Sequence, residues 1–443
     1  MIKKTAFAAA LLLTALCSMN SFAAGRAAKP GDTLSFSQLA GQLPSVHTLD
    51  LNLLTADMDI SAADALQGDD RYWVTVQASD KYKRTELLEA GMDIVEISGG
   101  RVSGFARKDA LDLIAEKGFI VESRVTIYEY AKKHLKDFPA ADAAYHNYKE
   151  TVAQLQALAA GNPDVASLFS AGKTVEGRDI WCLRLNATEK GETPSAKPGA
   201  FYVGNHHARE HLSNEVALGL AAYLLEHKSE AEIKKYLETL DIYIIPMLNA
   251  DGAEYDIATG KYRWHRKNTR VNPDKTIGVD LNRNYDALWC QGGASHSPSA
   301  DTYCGPKPFS EPETMTVKRF VEARKNLKTL MSYHSYSSLL LYPWGGKDTP
   351  IENANDLKVF TTMAKAMAGF TGYTPEQSSD LYIATGDTTD WAYATAGIFA
   401  FTTELEGTTF YPGAAMINKA VPSNVKAALY MLSVTDNPYK LLQ

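Results

Sequence analysis

Hydrophobic and polar positions alternate with two different rhythms along the chain. Between Asp70 and Ser123 the elements are short and closely spaced. Tyr72-Trp73-Val74-Thr75-Val76 is predicted as a strand, and Lys81 to Ala90 as a helix ended by Gly91. Asp93 to Ile97 and Arg101 to Ala106 are two more strands, and the Gly99-Gly100 pair between them suits a tight hairpin turn. Asp109 to Lys117 is a second amphipathic helix stopped by Gly118, and Phe119 to Glu122 is a last strand. The order β-α-β-β-α-β predicts a small ferredoxin-like α+β unit.

From Tyr148 the rhythm lengthens. Tyr148 to Ala159 has helical spacing and stops at Gly161-Asn162-Pro163. Short apolar strands and helices then alternate through Asp179 to Leu185, Ala200 to Val203, Asn214 to His227, Asp241 to Pro246, Val317 to Lys325 and Leu330 to Tyr333. That alternation predicts a long α/β domain, residues 142–443, with a mostly parallel or mixed central sheet flanked by helices. In such sheets, sites gather where strands end. The stretch from Thr126 to Ala141 has little periodicity and is expected to be a linker. Its Lys132, Lys133 and Lys136 would suit a processing protease.

The N-terminus changes the picture of where the protein works. Lys3-Lys4, an apolar run from Ala6 to Cys17 and small residues through Ala24 are the three parts of a secretory signal peptide, residues 1–24. Residues 25–69 form an extension before the small unit. No later run approaches the ~20 apolar residues of a membrane span. The expectation is an exported protein, secreted or periplasmic, with no stable membrane anchor. Leu16 is bulky where lipid attachment at Cys17 would want a small residue.

Composition is globular, with 45% hydrophobic and 22% charged residues among 443. A net charge of -7 without a basic run argues against a nucleic-acid partner. Cys290 and Cys304 flank a short polar loop, where a disulfide is expected in an exported protein; in the chain-entropy model it would contribute about 3 kcal/mol. Cys182, within Ile180-Trp181-Cys182-Leu183, reads as an inert core thiol.

The candidate chemistry centres on Asn205-His206-His207-Ala208-Arg209-Glu210-His211, just after the apolar strand Ala200 to Val203. An imidazole and a carboxylate three residues apart share a face on a helical turn, so His207 and Glu210 are half a zinc site. Periodicity alone does not choose His207 over His206 or His211. A third ligand must come from elsewhere, and His334 follows the strand Leu330 to Tyr333. Glu404 lies in Phe401-Thr402-Thr403-Glu404-Leu405, an apolar strand where a carboxylate is costly without a partner or a task.

With these motifs in view the sequence closely resembles the zinc metallocarboxypeptidases of the carboxypeptidase A/B and T type, from about Tyr145 to the C-terminus. The resemblance rests on six motifs in order: His207-Ala208-Arg209-Glu210, Arg263-Trp264-His265-Arg266-Lys267-Asn268, Val279 to Asn284, His334-Ser335-Tyr336-Ser337, Leu381-Tyr382 before Thr389-Asp390-Trp391, and Thr403-Glu404-Leu405. It implies one zinc ion held by His207, Glu210 and His334, with an open position for water. It implies Glu404 as general base and then acid, and Arg266 as the group that stabilises the oxyanion.

The resemblance further implies that Asn282 and Arg283 grip the terminal carboxylate of a peptide or protein substrate. Tyr382 would close over it, and Arg209 would hold the chain further from the scissile bond. In the specificity pocket, Thr389 at the floor and Asp387 at the edge resemble the carboxypeptidase T pattern of mixed apolar and basic preference. The small unit would be a pro-segment inhibiting its own enzyme.

Two other readings stay open from sequence: a zinc peptidase that trims peptidoglycan stem peptides, and an inactive carboxypeptidase-like binding module. Calcium is open too, because the acids from Asp348 to Asp356 could bind it or simply be solvated.

Overall fold

In the small unit β1 (Arg71–Gln77), β2 (Asp93–Ser98), β3 (Arg101–Arg107) and β4 (Val121–Thr126) form an antiparallel sheet in the order β2-β3-β1-β4. This computed structural model describes residues 68–134, 142, 144–258 and 262–443. The signal peptide, nearly all of the extension and linker residues 135–141 lie outside the described residues.

Alternation decides the faces of this sheet. Val74, Val76 and Val102 point to one side, where Leu87 and Leu88 of the helix Lys81–Glu89 and Ile114 of the helix Lys108–Glu116 cover them. Trp73 and Phe105 point to the other, against Tyr130, Trp264 and Phe410. That second face is how the small unit meets the large one, within one compact body, Ile60–Gln443. At Gly104 the strands β2 and β3 press together, and a Cβ there would stand 1.9 Å from the Asp93 carbonyl oxygen. Only glycine lets β2 lie this close and turn Asp93 toward the large unit.

The large unit is built on eight strands: β5 (Ala166–Lys173), β6 (Asp179–Leu185), β7 (Gly199–Gly204), β8 (Asp241–Ile245), β9 (Leu327–Ser335), β10 (Leu339–Tyr342), β11 (Thr374–Gln377) and β12 (Phe399–Leu405). Their order is β11-β10-β12-β9-β7-β8-β6-β5. The four central strands run parallel and the flanks add antiparallel pairs, so the sheet is mixed. Helices His211–Glu226, Ala354–Thr371 and Ile417–Thr435 pack one face and Pro312–Ala323 and Thr388–Ala396 the other. Both faces being covered, β7 and β8 are buried at every residue and read as continuous apolar runs.

Two details differ from the sequence expectation. β4 begins at Val121, and the segment expected as linker opens with a helix, Ile127–His134, whose Ile127 packs beside Phe105. β5, β10 and β11 were not among the expected runs; β5 is an edge strand in which small and polar residues flank Leu168 and Phe169, half-buried along most of its length. The acids of the open calcium question have protein partners. Asp348 pairs with Lys81 and Tyr82, while Asp356 accepts from the hydroxyls of Tyr393 and Tyr439, both at 2.7 Å.

Candidate active site

β7, β9 and β12 end side by side, which carries distant stretches of sequence to one place. Glu404 of β12 is in register with His334 of β9, and the turn after β7 brings His207 and Glu210 against them. That turn is not yet helix. Asn205 takes a left-handed φ of 58°, its side-chain amide donates to the His207 and Ala208 carbonyls, and the Glu210 N–H closes the turn on the His207 carbonyl at 3.2 Å. The helix begins only at His211. The i, i+3 spacing thus works through a tight turn rather than through the helical turn expected.

His207, Glu210 and His334 are buried and converge. His207 Nδ1 lies 2.8 Å from Glu210 Oε1, His334 Nδ1 lies 3.0 Å from Glu210 Oε2, and the two Nδ1 atoms are 3.1 Å apart. Two imidazole nitrogens and a carboxylate facing one point are an N2O donor set that fits zinc. Their other nitrogens are held: His207 Nε2 by Asp280 Oδ1 at 3.1 Å and His334 Nε2 by Ser332 Oγ at 3.0 Å. Burial alone would raise Glu210, but the two imidazoles outweigh it and hold the carboxyl well below the usual range. The neighbouring histidines point elsewhere. His206 contacts Ser332, Thr388 and Tyr285, and His211 pairs with Asp256 at 2.9 Å.

A cleft of about 340 Å³ opens over this cluster, and Arg209, Glu210, Arg266, Tyr382 and Glu404 line it. Burial, and after it the Glu210 carboxylate, push Glu404 up to about 8. Arg266 is aimed by its Nε on Asp280 Oδ2 at 2.9 Å. Asn282 and Arg283 sit on the short turn Leu281–Arg283, where the Asp280 carboxylate accepts the Asn282 N–H at 3.0 Å. Arg283 is buried and bonds only the carbonyls of Gly293 and Asn282; among the described residues no carboxylate pairs with it. Gly386, with φ of 80°, lets its backbone come against Arg283, since a Cβ there would stand 2.3 Å from the Arg283 carbonyl oxygen.

Asp387 caps the helix Thr388–Ala396, its Oδ1 accepting from the N–H groups of Thr389 and Asp390 and from the Thr389 hydroxyl at 2.7 Å. The Thr389 hydroxyl is thereby turned onto Asp387. Asp387 Oδ2 is buried without a hydrogen-bond partner. Burial, and then Asp387, push the neighbouring Asp390 well above the usual carboxylate range.

The small unit reaches into the same cleft. Asp93 pairs with the buried Arg209, and its other oxygen is 3.5 Å from Arg266. Arg71 donates to the Trp264 and Arg263 carbonyls at 2.9 and 2.7 Å, on the loop that carries Arg266. Tyr382 packs against the small unit's core, and its neighbour Ile383 donates its N–H to Thr85 at 2.9 Å.

The Cys290–Cys304 disulfide is formed, with Cα atoms 6.0 Å apart. With both sulfurs so bonded, Cys290 and Cys304 offer no thiolate to a metal beside His296. Sequence reasoning assigned no role to Asp280, Ser332, Thr388 or Asp93. Asp280 stood inside a motif already singled out, whereas nothing in the pattern of β2 marked Asp93.

Strand ends, an N2O donor set and a carboxylate beside it fit metal-assisted hydrolysis, and comparison with known proteins shows the family. Residues 151–427 match the Peptidase_M14 zinc carboxypeptidase family, and the chain belongs to it. It is 32% identical over 386 residues to a zinc carboxypeptidase of Saccharothrix mutabilis subsp. capreolus, covering 82% of this chain and 88% of that one. To carboxypeptidase B of Rattus norvegicus it is 33% identical over 60% of this chain and 64% of the relative. The fold is similar to that of a carboxypeptidase A from Helicoverpa armigera, with a TM-score of 0.68, 22% identity and coverage of 83% and 97%. The protein is a metallocarboxypeptidase. Among the described residues no helix is long and apolar enough to cross a membrane.

Proposed function

We propose that this zinc carboxypeptidase is exported as a proenzyme and removes single residues from free peptide C-termini, accepting both apolar and basic ones. The observation that carries the reading is Arg283, a buried guanidinium with no carboxylate in salt-bridge contact among the described residues, whose charge reaches Asp280, Glu404 and Tyr382. A terminal carboxylate would supply the missing anion in the bidentate geometry a guanidinium favours. An internal peptide bond brings no such charge and leaves the cation unpaired.

His207, Glu210 and His334 would hold zinc, which supplies Lewis acidity toward water and the scissile carbonyl. Glu404 takes the proton from the attacking water and returns one to the leaving amine; its raised affinity for protons suits that exchange near neutral pH. Arg266, fixed by Asp280, meets the negative charge that develops on the carbonyl oxygen. Tyr382 closes over the bound residue. Asp387 Oδ2 would accept from a lysine or arginine side chain, and Thr389 leaves room for an apolar one.

The small unit acts as an intramolecular inhibitor in this reading. Asp93 on Arg209 occupies the place of substrate chain upstream of the scissile bond, and the contacts to Tyr382 and Ile383 restrain the cap. Export rests on the signal-peptide pattern of Met1 to Ala24.

The test is product analysis on the processed enzyme with peptides ending in Phe, Leu, Lys or Arg, with and without a zinc chelator. Stepwise loss of single C-terminal residues, abolished by chelator and restored by zinc, is expected. Internal cleavage would sink the exopeptidase reading, and inertness toward all four with zinc bound would turn attention to cell-wall peptides.

A further inference from the structure

A buried chain of hydrogen bonds runs from the candidate metal cluster to the carboxylate clamp through His206, the histidine that faces away from the metal. His334 Nε2 meets Ser332 Oγ at 3.0 Å, and Ser332 Oγ meets His206 Nδ1 at 3.1 Å. His206 Nε2 meets Thr388 Oγ1 at 2.9 Å and the Tyr285 hydroxyl at 3.0 Å. The Thr388 hydroxyl donates to Asn282 Oδ1 at 2.9 Å, and the Thr388 N–H, the first of its helix, donates to the same oxygen at 3.0 Å. Ser332, His206 and Thr388 are at most 1% exposed, so these protons have no bulk water to exchange partners with. On the other side, the Asn282 N–H and His207 Nε2 share Asp280 Oδ1.

Each hydroxyl has one proton to donate, so the chain through Thr388 admits two proton orders, and in the first the Tyr285 hydroxyl, 3.0 Å from His206 Nε2, can take the place of Thr388 as donor. In one, Thr388 donates to His206, His206 to Ser332, and Ser332 to His334 Nε2. That order places a proton on His334 Nδ1, the atom that faces Glu210 and His207. In the other, His334 donates from Nε2 to Ser332, Ser332 to His206 Nδ1, and His206 from Nε2 to Thr388. The Thr388 hydroxyl is then free to donate to Asn282 Oδ1. Only the second order leaves His334 Nδ1 bare, as a metal ligand must be. The same order puts two donors on Asn282 Oδ1, which fixes the amide with its NH₂ group turned away from Thr388.

We propose that His206 is a positioning residue that, with Ser332 and Thr388, couples metal binding at His334 to orientation of the Asn282 amide. Every order that leaves His334 Nδ1 bare also frees the Thr388 hydroxyl to donate to Asn282 Oδ1. Because coupling between two sites is reciprocal, a change at the clamp end must be felt at the metal, and the reverse. This rests on the role proposed above for Asn282.

The experiment measures zinc affinity, by competition with a chromophoric chelator, alongside KM and kcat on a free-acid peptide and its amide, for wild type, Thr388→Val, Ser332→Ala and Thr388→Ser. Thr388→Val is expected to raise KM for the free acid about tenfold with kcat nearly unchanged, the effect of one hydrogen bond serving a charged ligand. It is also expected to weaken zinc binding about threefold or more, although Thr388 touches no candidate ligand. Ser332→Ala should show the mirror pattern: weaker zinc binding, and a raised free-acid KM even at saturating zinc. Thr388→Ser, which keeps the hydroxyl, should restore both.

Purely local effects, KM alone for Thr388→Val and zinc alone for Ser332→Ala, would overturn the proposal. If one variant does not fold, its partner still reads the cross effect. A wild type that treats acid and amide alike would defeat the role given to Asn282, while the zinc arm would still report whether Thr388 and the metal are linked.

Discussion

The buried charges of the candidate site fall into two halves that differ in how they are met. On the half toward the small unit, Arg209 pairs with Asp93 and Arg266 with Asp280, with Asp93 close by. In the other half, Arg283 has only carbonyl acceptors among the described residues, and Asp387 Oδ2 has no hydrogen-bond partner. Buried charges without partners are costly, so a fold that keeps them holds them for a ligand. The satisfied half supports the proposal of a proenzyme. The unsatisfied half supports the proposed substrate, with one terminal carboxylate and a side chain that can bring a cation.

The largest effect expected is at Glu404, the proposed proton carrier. Glu404→Gln should lower kcat by about a thousandfold while zinc content, read by metal analysis, stays at the wild-type level. A smaller loss would mean that another group moves the proton. Next comes the satisfied half. Asp93→Asn in the uncut chain leaves Arg209 without its anion, a change worth about 3–5 kcal/mol when both partners are buried. Activity of the unprocessed protein should rise at least tenfold, and the processed enzyme, which lacks Asp93, is the reference for full release. If the uncut variant stays silent, Asp93 is not the inhibitory contact.

The unsatisfied half is probed more gently by Asp387→Asn. Asparagine caps a helix as well as aspartate, so stability should hold. The ratio of rates on peptides ending in Lys and in Phe should fall about tenfold; an unchanged ratio would leave Asp387 as a cap only. The smallest effect concerns Lys267, beside Arg266. Its ammonium donates to the Pro298 and Ala300 carbonyls, and the adjoining Thr302 hydroxyl donates to Leu88 of the small unit. Burial lowers Lys267 from 10.5 to about 8. The unfolded chain therefore binds more protons between those values, and stability should rise with pH across that window. Lys267→Met should flatten this slope in urea melts at pH 8 and pH 10.

The same contrast governs what could be read before the fold was known. His207, Glu210, His334 and Glu404 were legible because each follows or sits in an apolar strand, where an ionisable side chain stands out. The choice of His207 over His206 and His211 was legible through the resemblance and not from periodicity, because it depends on a left-handed Asn205 and a turn that delays the helix to His211. The resemblance put Asp387 at the pocket's edge, whereas its capping role and the diversion of Thr389 onto it are three-dimensional facts. The small unit's β-α-β-β-α-β order was plain in its turns and periodicity. Its Asp93 was not, since contact across 116 residues to Arg209 leaves no local trace.

The most direct test of the carboxylate clamp is the rate on a peptide as free acid divided by the rate on its C-terminal amide, for the processed enzyme and for Arg283→Met. A wild-type ratio of about a hundredfold or more is expected, collapsing toward one in the variant mainly through loss of the free-acid rate. Equal rates on acid and amide in the wild type, or a ratio that survives Arg283→Met, would contradict the exopeptidase reading.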